Sequence, residues 1–264
     1  KVKGLEKMTL NQKIYVYYLT EAAIYGRDIL FDQHGKYNLQ IRKLLENIYQ
    51  NYSGDKNSAD YAAMVKYMKQ VWFANGIHHH YSTDKFVPEF SQEFFAEQVK
   101  ALPADKLPLN EGETAEQMIE TLSKVIFDPA YMQKRVNQAD GQDLVLTSAN
   151  NLYEGVTQKE VEDYYRSIKD VNDSTPISYG LNAKVIKVDG KVQEQQYKIG
   201  GLYGAAIEKI VYYLNKAKEY AESDKQKAYI TALVDYYTTG DLRKFDEYSI
   251  LWAEDTDCTV DFVN

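Results

Sequence analysis

The stretch L-N-A-K-V-I-K-V-D-G-K-V, residues 181–192, interrupts a sequence whose pattern is otherwise helical. Leu181, Ala183 and Val185 alternate with polar residues, which is the period of a β-strand with one buried face. Asp189-Gly190 follows, and Asp-Gly between two extended runs is a strong signal for a two-residue hairpin turn. The sequence therefore predicts a β-hairpin over residues 179–199.

On both sides of the hairpin, apolar residues recur every three or four positions, which predicts amphipathic helices. Thr114 with Gln117 and Thr157 with Glu160 have the spacing of capping boxes, and each pair marks a helix start. The hairpin is too small to be stable alone, so we expect it to pack on helices and on further strands.

The end of the chain changes pattern again. Thr259-Val260-Asp261-Phe262-Val263 reads as extended, and we expect a terminal strand over residues 258–264. The fold class expected is mostly α with a small β element (α+β). Its predicted division is a helical region over residues 1–156, followed over residues 157–264 by helices, the hairpin and the terminal strand.

Composition and charge argue against several functional classes. The formal net charge is -8 at pH 7 and the basic residues are scattered, whereas phosphate binding needs clustered Lys and Arg, so a nucleic-acid partner is not expected. No apolar run approaches the roughly 18 to 20 residues of a membrane span. The one cysteine, Cys258, allows neither an internal disulfide nor a thiolate zinc site. The chain opens on Lys1, so we expect a processed or truncated product.

Three of the four histidines stand in a row as His78, His79 and His80. Consecutive side chains point apart, so they do not easily converge on one zinc ion at about 2.0–2.1 Å. The chain also has no H-E-x-x-H motif, the helical pattern of a zinc peptidase. The run stays open to three interpretations: adventitious metal binding, a polar turn, or a loop that lines a substrate cleft.

Other features leave rival functions open. Gly200-Gly201-x-x-Gly204 lacks the Lys-Ser/Thr of a phosphate-binding loop and predicts a flexible connection instead. The 24 tyrosines are typical of helices that bury the ring and expose the hydroxyl, and they also suit a non-catalytic helical protein that binds glycans or peptides. A metal-binding module built on the histidine run is a further rival. From composition and spacing alone, the protein is soluble, mostly helical and acidic.

Four stretches together resemble the dipeptidyl peptidase III family, zinc exopeptidases that release dipeptides from the N-terminus of short peptides. The similarity is to its bacterial branch, of the Bacteroides kind. It covers essentially the whole chain in the same order, and it rests on the order of the pieces rather than on any one of them. The pieces are Y-S-T-D-K-F-V-P (81–88), Y-G-L-N-A-K (179–184), L-N-K-A-K-E-Y-A (214–221) and L-W-A-E-D-T-D-C-T-V-D-F-V-N (251–264).

The resemblance implies a two-lobed enzyme in which a zinc-activated water attacks the second peptide bond, with Glu as general base. The family's H-E-x-x-x-H and E-E-x-R/K-A-D zinc motifs do not occur in these 264 residues. We therefore expect the N-terminal portion of such an enzyme, with the zinc-binding lobe absent and no activity alone. The partners implied are a short peptide with a free N-terminus and the missing C-terminal part. The compartment expected is the cytoplasm, with the periplasm as the alternative.

The resemblance also assigns residues to the substrate-binding lobe, which binds the peptide as an added strand. Asp261 matches the acidic residue that holds the substrate's ammonium, with a strand-end carboxylate facing water as the alternative. Tyr81 matches an aromatic residue of the cleft, with core packing as the alternative. His79 and His80 are candidates to face the peptide. A tyrosine that the animal enzymes carry two residues after the acidic residue is replaced here by Val263.

Overall fold

The computed structural model describes residues 3–262. These residues form ten α-helices, three short β-strands and two turns of 3₁₀-helix. The helices are α1 (Leu10–His34), α2 (Asn38–Asn51), α3 (Ala59–Ala74), α4 (Gln92–Ala101), α5 (Ala115–Phe127), α6 (Leu144–Thr147), α7 (Gln158–Ile168), α8 (Gly204–Lys218), α9 (Asp224–Thr239) and α10 (Leu242–Ala253). The strands are β1 (Tyr153–Glu154), β2 (Ala183–Val188) and β3 (Lys191–Gln196). The predicted fold class, mostly α with a small β element, is confirmed.

The predicted hairpin is present, with β2 and β3 paired antiparallel from Ala183 opposite Gln196 to Val188 opposite Lys191. Asp189 and Gly190 both have positive φ, 49° and 77°, as a two-residue turn that matches the strand twist requires. The three strands form one sheet in the order β1-β2-β3. Strand β1 was not predicted from the sequence, because a two-residue strand has no period to detect.

Local side-chain chemistry starts the helices where the sequence predicted. Both capping boxes form, with Thr114 and Gln117 at the start of α5 and Thr157 and Glu160 at the start of α7. In each box the threonine hydroxyl accepts from a backbone N–H, and the partner side chain accepts from the N–H of the cap residue.

The chain divides into two compact units, one of residues 30–153 and one of residues 1–29 with 154–264. The boundary falls inside α1. The predicted functional division at residues 156 and 157 stays a prediction, since compactness does not test it.

The unit of residues 30–153 has a core built by α2 to α5. Leu44, Met64, Tyr67 and Leu122 are among its fully buried side chains. Lys85 secures the end of α5, because its Nζ donates to the carbonyls of Val125 (3.0 Å), Asp128 and Tyr131 (2.6 Å). A cation at this place interacts favourably with the negative end of the helix dipole.

The unit of residues 1–29 and 154–264 packs α1, α8, α9 and α10 around buried tyrosines. Tyr15 and Tyr229 are completely buried, and Tyr236 and Tyr248 nearly so. The tyrosines therefore contribute core volume as well as surface hydroxyls.

The prediction of a terminal strand over residues 258–264 is wrong for residues 258–262, which have no strand partner. Val263 and Asn264 lie outside the described residues. The physical reason is that side chains take the place of a neighbouring strand. The N–H groups of Thr259 and Val260 donate to the Glu222 carboxylate, and the Val260 carbonyl accepts from Gln226.

No helix among residues 3–262 is both long enough and apolar enough to cross a membrane.

Candidate functional site

Asp261 lies in the segment that follows α10, and one oxygen of its carboxylate is fixed by three donors. Oδ1 accepts from the Trp252 indole Nε1 at 3.0 Å, from the Tyr229 hydroxyl at 3.1 Å and from the Phe262 N–H at 2.7 Å. Within residues 3–262, Oδ2 has no hydrogen-bond partner and the residue is exposed. Among the described residues, the carboxylate therefore has a fixed orientation and one oxygen that is free to accept.

The donors around Asp261 are electrically neutral. Burial raises the pKa of the Tyr229 hydroxyl, and the negative charge of Asp261 adds to the effect. Burial raises the pKa of neighbouring Tyr15 as well. Both phenols stay protonated at neutral pH, and no Lys or Arg of the described chain forms a salt bridge with Asp261. Within the described chain, no cation therefore competes with one from solution for this carboxylate.

Asp261 was located from the sequence, but its hydrogen-bond donors were not. Neither Trp252 nor Tyr229 was singled out from the sequence as a partner of Asp261. An indole N–H only donates and usually finds an acceptor when the ring packs, so Trp252 was a usable signal. Tyr229 gave none, since α9 reaches Asp261 only through tertiary packing.

The histidine run lies in the other unit, where the three imidazoles serve different roles. The His78 ring is buried, and its Nε2 donates to the Met132 carbonyl at 2.8 Å. His79 turns back on its own loop, where Nδ1 accepts from the N–H groups of Tyr81 and Ser82, each at 3.2 Å. The described residues contain no group of three or more His, Cys, Asp or Glu that could hold a metal ion. The run forms a structured turn.

His80 and Tyr81 belong to an aromatic patch on this turn. The His80 ring stacks on His79 at 4.5 Å between ring centres and meets Phe73 edge-on at 5.0 Å. Tyr81 is 86% exposed, so core packing, the alternative interpretation of this residue, is wrong. His79 and His80 line an open groove of about 560 Å³ against α3, whose other lining residues are Ala62, Val65, Lys66, Lys69, Gln70, Phe73 and Phe86.

The turn is held in place by a second backbone segment. The N–H of Arg135 donates to the Thr83 carbonyl at 2.8 Å, and the N–H of Lys85 donates to the Gln133 carbonyl at 3.0 Å. Lys134 pairs with Asp84 at 2.7 Å. These bonds keep Thr83 in a left-handed conformation, with φ of 61°. Tyr81 therefore lies on a turn whose conformation is fixed by these bonds.

The fourth histidine also belongs to this region. Arg135 donates from Nη1 to His34 Nε2 at 2.9 Å and from Nη2 to the His80 carbonyl at 3.2 Å. Since arginine only donates, Nε2 of His34 accepts and Nδ1 carries the proton toward the Ala74 carbonyl at 3.2 Å. Burial, and then the charge of Arg135, lowers the pKa of His34. No pattern in the sequence indicates the Arg135–His34 hydrogen bond, which joins residues 101 positions apart.

Comparisons with known proteins bear on these two sites differently. Residues 178–263 match the model of Peptidase family M49. This segment contains the hairpin, α8 to α10 and Asp261, whereas the histidine run lies outside it. A comparison with curated proteins finds no match.

Solved structures share the fold of this chain. The structure of DPP III from Caldithrix abyssi has a TM-score of 0.57 and 17% identity, over 97% of this chain and 35% of that one. Dipeptidyl-peptidase III from Corallococcus sp. strain EGB has a TM-score of 0.55 and 15% identity, over 96% of this chain and 34% of that one. The chain thus spans about a third of the length of these structures.

Residues 178–263 are therefore similar to Peptidase family M49, and the chain shares its fold with dipeptidyl peptidase III structures. The resemblance to the dipeptidyl peptidase III family is confirmed, by the family match over residues 178–263 and by the fold over nearly the whole chain. The finer likeness to the Bacteroides branch stays a prediction.

The buried His78 makes stability depend on pH. Burial lowers the pKa of His78 to about 4; the Met132 carbonyl opposes this, while the charges of Lys85 and Arg135 add to it. In the unfolded chain the His78 imidazole takes up a proton near pH 6.5, whereas in the folded chain it does so only near pH 4. The contribution of neutral His78 to the unfolding free energy is therefore complete above pH 6.5 and is lost as the pH falls toward 4. Because of His78, we expect the unfolding free energy to be about 2 kcal/mol lower at pH 5 than at pH 7.

Urea unfolding at both pH values checks this prediction, with NMR titration of the imidazole as a direct readout. His78→Gln keeps a donor for the Met132 carbonyl but cannot titrate, so it should lose about 2 kcal/mol less than the parent between the two pH values. Equal losses in the two proteins would show that His78 does not carry the effect.

Proposed function

We propose that this chain is the N-terminal, substrate-binding part of a bacterial dipeptidyl peptidase III, of the Bacteroides kind, whose intact form releases dipeptides from the N-terminus of short peptides. On this proposal the chain alone does not hydrolyse peptides. The support is the family match over residues 178–263 together with the geometry of Asp261 inside that segment.

The orientation of Asp261 is the observation that carries the proposal. An exopeptidase has to recognise a free α-ammonium group, and a carboxylate provides a charge-assisted hydrogen bond to it. Oδ1 is occupied by three neutral donors, which leaves Oδ2 to accept from the ammonium without displacing another cation. An anchored N-terminus also fixes how far along the peptide the cut falls, which a dipeptide-releasing enzyme requires.

The turn of His79 to Tyr81 is proposed as a second contact surface for the peptide. Tyr81 has a nearly fully exposed ring on a turn of fixed conformation. A tyrosine ring has few rotatable bonds, so it binds peptide groups at a low cost in conformational entropy. The His79 Nδ1 is used inside the turn, so its contact with a peptide would come from the other ring edge. His80 contributes ring surface next to Phe73.

Zinc is proposed as the cofactor of the intact enzyme. The residues described here do not fit a zinc site, since no three His, Cys, Asp or Glu converge among them. The ligands are therefore proposed to lie in sequence beyond these 264 residues, and no step of the reaction is assigned to this chain beyond binding and orienting the peptide.

The two rival functions gain no specific support from the structure. The histidines proposed for a metal-binding module are used to close a turn and to fill a buried site. A glycan-binding role had rested on the number of tyrosines, and several of these are core residues, such as Tyr15, Tyr67 and Tyr229.

The direct test compares this chain with the full-length polypeptide on a fluorogenic dipeptidyl naphthylamide. We expect the full-length protein to release dipeptides and the 264-residue chain not to. A zinc chelator should abolish this activity, and added zinc should restore it. Hydrolysis by the 264-residue chain, or stoichiometric zinc in it, would overturn the proposal.

The anchor role predicts the effect of Asp261→Asn in the full-length protein. Loss of a charge-assisted hydrogen bond costs about 1.5–3 kcal/mol, so kcat/KM for a free N-terminal peptide should fall about 10- to 100-fold, mostly through KM. Asp257→Asn removes an exposed carboxylate of the same segment that makes no hydrogen bond among the described residues, and it should change kcat/KM little. An unchanged kcat/KM in Asp261→Asn would refute the anchor.

The contact role of Tyr81 predicts a functional loss without a loss of stability. Tyr81→Leu should lower kcat/KM about three- to tenfold while the unfolding free energy stays within about 0.5 kcal/mol, since the ring is exposed. Tyr212→Leu, at a tyrosine that is 53% exposed on α8, is the matched control. Equal activity of the Tyr81 variant and the parent would show that the ring does not contact substrate.

A further inference from the structure

Glu222, between α8 and α9, uses both carboxylate oxygens to join distant parts of one unit. Oε1 accepts from the Gln12 side-chain Nε2 at 2.6 Å, across 210 residues of sequence. Oε2 accepts from the N–H groups of Thr259 and Val260, each at 2.8 Å. One side chain therefore connects the start of α1 to the backbone that leads directly into Asp261.

Gln226 provides a further hydrogen bond to this backbone. Its Nε2 donates to the Val260 carbonyl at 2.9 Å, and its Oε1 accepts from the Glu222 N–H at 2.7 Å. The side chain is completely buried. Both backbone polar groups of Val260 are thus satisfied by side chains, as a neighbouring strand would satisfy them.

The donor that faces Glu222 has a fixed orientation. The Oε1 of Gln12 accepts from the Thr9 N–H at 2.8 Å, and the Gln12 N–H donates back to the Thr9 hydroxyl at 3.2 Å, the reciprocal bonds of a capping box. Because the amide oxygen is used at the helix start, the amide nitrogen points to Glu222. A carboxylate at position 222 therefore meets a donor on one side and two donors on the other.

We propose that Glu222 is a positioning residue for the ammonium anchor. It acts through its hydrogen bonds to the backbone of Thr259 and Val260. These bonds fix the backbone in the position from which the Asp261 carboxylate can bind the peptide amine. This inference rests on the proposed function of Asp261. Trp252 and Tyr229 orient the carboxylate group, whereas Glu222 fixes the main chain that carries it.

The ionisation state of Glu222 agrees with this role. Burial would raise the pKa of its carboxyl, but the hydrogen bonds from Gln12 and from the Val260 and Thr259 backbone outweigh burial and lower the pKa. The group is therefore charged at neutral pH, and its stabilising contribution would be lost only as pH falls through this lowered value.

Two variants test the hydrogen bonds through which Glu222 acts. Glu222→Gln places an amide nitrogen opposite the Gln12 amide nitrogen, or else opposite the two backbone N–H groups, so a donor meets a donor in either orientation. Adding Gln12→Glu to the same protein places an acceptor at position 12 and restores the net charge of the parent. A carboxylate there can still accept from the Thr9 N–H, so the capping box is kept.

The measurement is kcat/KM in the full-length protein, with a free N-terminal peptide and with its N-acetylated form. We expect Glu222→Gln to raise KM about tenfold with kcat within about twofold, and the double variant to return KM to within about threefold of the parent. For the acetylated peptide, which has no ammonium group, the single variant should cause no further loss. Glu219→Gln, at an exposed carboxylate paired with Lys216, is the control and should match the parent.

Hydrogen exchange of the Thr259 and Val260 amides supplies a readout independent of activity. Both amides should lose protection in Glu222→Gln and regain it in the double variant. An unchanged KM in Glu222→Gln, or a raised KM that the double variant does not restore, would overturn the positioning role even when Asp261→Asn has its predicted effect. If Asp261→Asn leaves kcat/KM unchanged, the proposed function fails instead, and the exchange data then report a purely structural link.

Discussion

An extended backbone must satisfy its N–H and C=O groups, and in residues 259–262 side chains do so in place of a strand. Glu222 and Gln226 take both backbone groups of Val260, and the Asp261 carboxylate accepts the Phe262 N–H. The placement of Asp261 depends on this arrangement, because a segment without such bonds would move freely at the end of α10.

In the unit of residues 30–153 the same requirement is met by half-buried cations. Lys85 donates to three carbonyls around the end of α5, and Arg135 donates to the His80 carbonyl. Each cation donates to several acceptors at once, and the backbone N–H groups at these turns could not satisfy all of these acceptors. Burial lowers the pKa values of the nearby His34 and His78, and the cations lower them further, Arg135 for both histidines and Lys85 for His78.

The features that the sequence predicted correctly are those coded by neighbouring residues. Asp189-Gly190 specifies its turn through two positive φ angles, and Thr114 needs only Gln117 to start a helix. The terminal strand was predicted from the same kind of local pattern and failed, because a strand exists only with a partner. That partner was replaced by Glu222, some 37 residues away, and the link to Gln12 spans 210 residues. No period or spacing in the sequence encodes such a contact.

The same distinction applies to the site residues. Asp261 could be chosen from the sequence because a family resemblance marks its position, but its capacity to bind an ammonium group depends on what surrounds it. Had a Lys or Arg of the described chain paired with Oδ2, an incoming ammonium would have to break that pair, and most of its interaction energy would be cancelled. The donors found are a phenol, an indole and a backbone N–H, which orient the carboxylate without neutralising it. A carboxylate so arranged gains a charged partner only when a ligand arrives, and this separates an anchor from an ordinary surface aspartate.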